Sequence, residues 1–260
     1  MATLAAQPPL PESTDPDVRF AARTTLYMAT VVVTGFSVQW LLGRSSFASP
    51  LRVHAHAVVF MGWVALFVAQ GQLAKRDAAA LHRTLGWVGA GWLVLMLGVA
   101  LNSIVAIVRN GTVPFFFTPQ QLLIADPMTL FGFIGLTIAA IAKRRQTDWH
   151  VRLHICAMSA IMGPAVGRIL PMPLLVPFAF EAAVLVGLAF AGAGALRDWR
   201  RQGRVHPAWL WGIAVVVSAT ALADGIAYSP LGDGIYRAVA AGYPGAEIAG
   251  QEYPPPPPAP

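Results

Sequence analysis

Seven long apolar segments, joined by short polar stretches, dominate this chain and leave few ways to fold it. They run Thr24–Leu42, Val53–Leu73, Leu85–Val108, Asp126–Ala142, Val151–Leu170, Pro177–Leu196 and Pro207–Tyr228. A helix needs about 20 mostly apolar residues to carry its backbone across a bilayer, and each segment meets or nearly meets that length. The fourth is the shortest if it starts at Asp126. Either Phe115–Pro119 lies in the interface, or Gln121–Ala125 extends the helix. Charged residues are only 12% of the chain, against roughly a quarter in a soluble domain. A soluble globular fold and general disorder are both excluded. The single cysteine, Cys156, allows no intrachain disulfide and no Cys-based zinc finger. The expected fold is all-α: a polytopic membrane bundle of seven transmembrane helices.

Lys and Arg orient such a bundle, because they accumulate on the cytoplasmic side. With the N-terminus inside, 13 of the 18 basic residues fall in inner segments and 4 in outer ones, with Arg168 inside the fifth helix. That asymmetry predicts N-in and C-out in a bacterial cytoplasmic (inner) membrane. It also accounts for the net charge of +6 without a nucleic-acid partner. Trp40 falls near the outer boundary, and Trp87, Trp149, Trp199, Trp209 and Trp211 near the inner one, as an aromatic belt does. Residues 1–22 read as a disordered cytoplasmic tail, 23–228 as the membrane domain, and 229–260 as an outer Pro-rich tail ending in Pro254–Pro258.

Ionisable residues inside a membrane are costly and mark candidate sites. Here Asp126, Arg168, Glu181 and Asp224, with His54 and His56, fall near the outer ends of five spans. They suggest a polar cluster open to the outer side. His56, Trp63 and Gln70 are seven residues apart and share one helix face; His54 faces elsewhere. In the fifth segment His150, His154, Ile161 and Arg168 form a stripe, and Pro164 is placed to kink it. His56, Asp126 and Glu181 have suitable ligand types for a divalent metal. Plainer readings stand beside these: Asp126-Pro127 as an N-cap with proline at N1, Arg168–Glu181 as an ion pair, Asp224 snorkelling to the interface.

A second constellation lies at the inner side. His82 opens the third span and His150 and His154 open the fifth, which puts His82 and His154 at similar depth. Two histidines from facing helices can hold a haem b, with Arg83 and Arg152 as candidate partners for its propionates. Alternatively these residues simply sit among lipid headgroups. His206, before Pro207, reads as a turn residue at the start of the last helix. No phosphate loop, dinucleotide fingerprint, HExxH or GxSxG motif is present. No lysine lies in the last helix, which excludes a retinal Schiff base there.

The run His54-x-His56, Trp63, Leu66, Gln70-x-x-Leu73, then Leu81-His82-Arg83-x-Leu85-Gly86, resembles a group of bacterial multi-pass membrane proteins of the domain-of-unknown-function type. Asp126-Pro127, His150-x-Arg152-Leu153 with Pro164 and Arg168, and Arg204–Ala208 look like the same group. The likeness covers about Arg52 to Ala223 and implies a shared helical bundle, with no activity attached. The chain is more distantly similar to the cytochrome b561 superfamily, whose bundles hold haem between histidine pairs near each membrane face. It departs from that pattern at the outer side, where both histidines sit on one helix. Three functions remain open: a redox or metal-binding membrane protein; a binder or transporter of a small or lipidic molecule, with Arg168 as an anion anchor; and an accessory subunit. Beyond the lipid bilayer, the partner of an accessory subunit is another membrane protein or a second copy of this chain.

Overall fold

The computed structural model describes residues 13–256. Its helices are α1 Pro16–Leu41, α2 Leu51–Lys75, α3 Ala79–Arg109, α4 Pro119–Ala142, α5 Thr147–Ala160, α6 Gly163–Val166, α7 Ala179–Gln202, α8 Pro207–Ala227 and α9 Pro230–Ala240. Short 3-10 turns occupy Met172–Leu175 and Pro244–Glu247. No strand occurs among the described residues. Among the described residues five helices, α2, α3, α4, α7 and α8, are long and apolar enough to cross a membrane. Much of their apolar surface faces outward. In α2 the most apolar window has a mean hydropathy of 1.7 yet is only 17% buried, so its exposed side suits lipid and not water.

The helices pack as two fused rings. Neighbour contacts link α1–α2, α2–α3, α3–α4, α4–α5 and α5–α1, closing a five-helix ring. A second, four-helix group shares two members of that ring: α4 packs on α5 and α8, and α7 packs on α5 and α8. Short connections make successive long helices antiparallel. One end, the amino end, therefore collects the starts of α1, α3, α5 and α8 and the ends of α2, α4 and α7. The other, here the far end, collects the reverse set.

The helix boundaries follow from capping. Asp15 accepts a hydrogen bond from Asp17 N (2.7 Å) and Pro16 takes the first position, so the expected tail over 1–22 turns helical well before residue 22. Residues 1–12 of that tail lie outside the described residues. Thr118 Oγ1 accepts from Gln121 N (3.2 Å), with Pro119 at N1. α4 thus starts seven residues before Asp126, and the Asp126-Pro127 step is interior to the helix. The N-cap reading of Asp126 fails because Thr118-Pro119 supplies the same pairing about two turns earlier and buries Gln120 and Gln121. His206 caps α8: its Nδ1 accepts from Ala208 N (3.1 Å), which leaves Nε2 to donate to Asp148 Oδ2 (3.0 Å).

Two further departures concern the last third of the chain. The fifth segment is not one helix. α5 ends at Ala160, and after Ile161–Met162 a single turn, α6, begins at Gly163-Pro164; proline has no N–H to continue the ladder. Fourteen residues rise only about 21 Å. The His150–Arg168 stripe is cut by this break. The segment from 229, expected as a tail, forms α9. Ser229 caps it, Pro230 starts it, and Tyr236 and Ala240 pack with Ile104, Val108, Val113 and Leu123 as a second small core. Of the expected Pro254–Pro258 run, residues 257 and 258 lie outside the described residues.

Candidate functional site

At the amino end three histidines converge between α3 and α5, two helices that face each other across the five-helix ring. The His82 and His150 ring centroids are 6.2 Å apart, and His150 and His154 are 4.7 Å apart. His82 and His150 are each the fourth residue of their helices, α3 and α5, and His154 lies one turn further along α5. His82 Nδ1 lies 3.2 Å from the carbonyl of Gln70, on α2. His150 Nδ1 lies 2.8 Å from the carbonyl of Ala140, on α4. A carbonyl can only accept, so Nδ1 carries the proton in both rings. Each Nε2 is then left with its lone pair. This is the arrangement by which proteins fix the tautomer of a metal-binding imidazole: one ring nitrogen on a backbone carbonyl, the other free.

The arginines expected beside this cluster behave differently from each other. Arg83 is exposed. Arg152 is buried and committed elsewhere, which corrects the propionate role. Its Nε and one terminal nitrogen donate to Asp198 (2.8 and 3.1 Å), and the same terminal nitrogen donates to Asp17 (2.7 Å). Arg197 joins Asp17 (2.8 Å) and Asp198 (3.4 Å), and Trp209 Nε1 donates to Asp198 (2.8 Å). Asp198 is fully buried. The network ties α1, α5, α7 and α8 together. Asp198 escaped the sequence reading because it sits in the basic run Leu196-Arg197-Asp198-Trp199-Arg200-Arg201, which looks like a solvated loop; a lone acid in such a run was the available signal.

Burial by itself would raise the Asp17 carboxyl, but hydrogen bonds from Arg197 and Arg152 and their charges outweigh it and hold its pKa below the ordinary 3.8. A carboxyl depressed on folding stabilises fully above its unfolded value, and the contribution vanishes as pH falls through the folded value. We therefore expect Asp17→Asn to lower the thermal midpoint at neutral pH. The gap from wild type should shrink only as the pH is taken below about 4, in detergent melts across a pH series.

At the far end the six expected outer residues separate into groups. His54 Nε2 turns to the Phe47 carbonyl (3.2 Å) in the α1–α2 connection. His56 stacks on Phe60 (4.3 Å) and interacts electrostatically with Arg168, which also acts on Asp126. Arg168 lies over the Phe36 ring (4.2 Å) and donates to the Pro164 carbonyl. No Arg168–Glu181 ion pair forms. Glu181 and Asp224 instead share Gln121, whose Nε2 donates to Glu181 Oε1 (3.0 Å) and Asp224 Oδ1 (3.4 Å). His56, Asp126 and Glu181 are thus not assembled as ligands. Among the described residues no group of three or more His, Cys, Asp or Glu is arranged to hold a metal ion.

Glu181 and Asp224 line a far-end cavity of about 410 Å³, with Thr118, Phe178, Tyr228 and Tyr253 among its walls. Arg168 is not among its lining residues. Its lining is acidic and aromatic. No family model, no curated protein and no solved structure matches this chain.

Proposed function

We propose that the protein is a seven-span membrane protein, N-terminus inside, that holds a haem b between His82 and His150 at its cytoplasmic end and serves in electron transfer. The observation that carries this reading is the pair of imidazoles with Nδ1 locked on the Gln70 and Ala140 carbonyls. Metal–imidazole bonds run about 2.0–2.1 Å, so one metal atom between two imidazoles holds their centroids roughly 6 Å apart; these stand at 6.2 Å. His82 and His150 would be the two residues that hold a haem, with His154 beside His150. Bound haem would supply one-electron chemistry. The chain's own part is to orient the two rings from α2 and α4, and Arg83, exposed beside His82, is the remaining candidate for a propionate. The excess of Lys and Arg at the amino end supports the orientation, and α1 with the α5–α6 pair would complete the seven spans.

The test is a reduced-minus-oxidised spectrum of detergent-purified protein after reconstitution with haemin. A Soret and a sharp α-band are expected, lost in His82→Ala and in His150→Ala and kept in His206→Ala. Protein that stays colourless after reconstitution ends this reading.

The far-end cavity favours a second reading, a binder of a small organic cation. The Glu181–Asp224 pair supplies negative charge, and Phe178, Tyr228 and Tyr253 supply ring faces of the kind that recognise ammonium groups. Calorimetry with tetramethylammonium should show binding that weakens in Glu181→Gln and in Asp224→Asn. Unchanged heats in both variants would dispose of it.

A further inference from the structure

A cavity of about 420 Å³ opens at the amino end, between the start of α1 and the end of α7. Sites for small ligands run about 300–1,000 Å³. Four arginines line it: Arg19 and Arg23 of α1, and Arg197 and Arg201 of α7. Each pair is spaced i, i+4, so each helix turns one arginine face to the cavity. α1 and α7 both pack on α5, which holds the two faces beside the same space. Arg197 is the fixed wall. Its guanidinium lies over the Phe20 ring (4.6 Å) and donates to the Pro16 carbonyl (2.9 Å).

The charges around this cavity do not cancel. Arg152 and Arg197 share Asp17 and Asp198, two cations on two carboxylates, so that network is internally neutral. Arg19, Arg23 and Arg201 stand outside it. They are exposed, and their side chains make no hydrogen bond or ion pair with any of the described residues. Asp15, exposed at the α1 cap, is the one other described carboxylate on this stretch of α1. Positive charge is left in excess. Guanidinium groups that repel one another around one space favour an anion there, and their planar fork matches the oxygens of a phosphate.

Away from the amino end the same helix faces turn apolar and stay exposed. Tyr27, one turn beyond Arg23 on α1, is 65% exposed, and Val186, three turns before Arg197 on α7, is 43% exposed. Basic pockets between membrane helices bind anionic lipid headgroups. We propose that this cavity binds a phosphate ester, and that an anionic membrane lipid presents it. The phosphate sits among Arg19, Arg23 and Arg201 against the Arg197 wall, and the acyl chains leave along the Tyr27 and Val186 faces. The site shares only its membrane setting with the haem reading, and its test involves no haem.

Native mass spectrometry of the full chain in mild detergent, with dioleoyl phosphatidic acid added, reads the bound lipid directly. Wild type should retain the phosphatidic acid and should not retain dioleoyl glycerol, which lacks the phosphate. Arg19→Gln, Arg23→Gln and Arg201→Gln should each lower the lipid affinity about fivefold or more. These side chains hold no bond within the described fold, so the melting midpoints of the variants should match wild type. Arg201→Lys keeps the charge and loses the fork, so it should weaken binding as well. Arg144, exposed at the same end and outside the cavity, is the control, and Arg144→Gln should bind as wild type does. Calorimetry with inorganic pyrophosphate separates the two sources of phosphate and should show much weaker binding than the lipid. Pyrophosphate binding with no retained phosphatidic acid overturns the lipid as the source. Full affinity in all three glutamine variants, or in Arg201→Lys, overturns the site. An equal loss in Arg144→Gln also overturns it, because it would show a general attraction to headgroups.

Discussion

Asp198→Ala is expected to lower stability by about 3–5 kcal/mol, the scale seen when one partner of a buried ion pair is removed. The cost lies in what is left behind. Asp198 has no exposure and Arg152 is 2% exposed, so the guanidinium would stay dehydrated with only Asp17, itself part-exposed, to balance it. Trp209 would lose its N–H acceptor as well. Asp198→Asn keeps the shape and one acceptor and should fall between wild type and alanine. Asp198→Leu combined with Arg152→Met removes both charges, and it should recover most of the loss, because well-packed apolar side chains replace a buried pair at little or no cost. Denaturation midpoints in mild detergent would rank the four proteins. An Asp198→Ala protein as stable as wild type would show that the network contributes geometry and no net stability.

The all-helical fold was legible because membrane helices must bury every backbone polar group within themselves, and that demand writes long apolar runs. Five of the seven runs coincide with helices long and apolar enough to cross a bilayer. α9 was not legible by the same rule. It is short and amphipathic and packs by its Tyr236 face, so a hydropathy reading passes over it, although Ser229-Pro230 is an ordinary start signal. The break after α5 was half legible: Pro164 announced a disturbance, but not that α6 would be a single turn. At the sites, helical phase placed His56, Trp63 and Gln70 on one face, and depth paired His82 with His154, whereas the ring that comes within 6.2 Å of His82 is that of His150. Sequence could not show which carbonyls lock the two rings, since Gln70 and Ala140 belong to neighbouring helices. Nor could it show that Glu181 turns to Gln121 and Asp224 and away from Arg168, because that choice is made by rotation of α7 within the second ring.

Gly245→Ala should detach the C-terminal segment while leaving the membrane helices folded. Gly245 sits against the last turn of α3, and a Cβ there would fall inside contact distance of the Val108 carbonyl oxygen, 3.0 Å from its carbon and 3.2 Å from the Arg109 carbonyl oxygen. These are backbone atoms of a helix end and cannot swing aside as a flexible side chain does, so the segment must move. Overpacking of this kind costs about 1–3 kcal/mol, and the local holdfasts are few. The Tyr236 hydroxyl lies between the carbonyls of Gly245 (2.7 Å) and Ile248 (2.8 Å), and Gln120 N donates to the Gly250 carbonyl (2.9 Å). Losing them frees residues 244–253, including the Gln251 and Tyr253 wall of the far-end cavity. Hydrogen exchange over 244–253 should therefore speed up in Gly245→Ala with no change in α2 to α8, and tetramethylammonium should bind more weakly than to wild type. Tyr236→Phe removes the hydroxyl without a clash and should produce the same pattern in milder form. Unchanged exchange in Gly245→Ala would mean that the segment can shift as a unit and keep its bonds, and that the cavity wall does not depend on this contact.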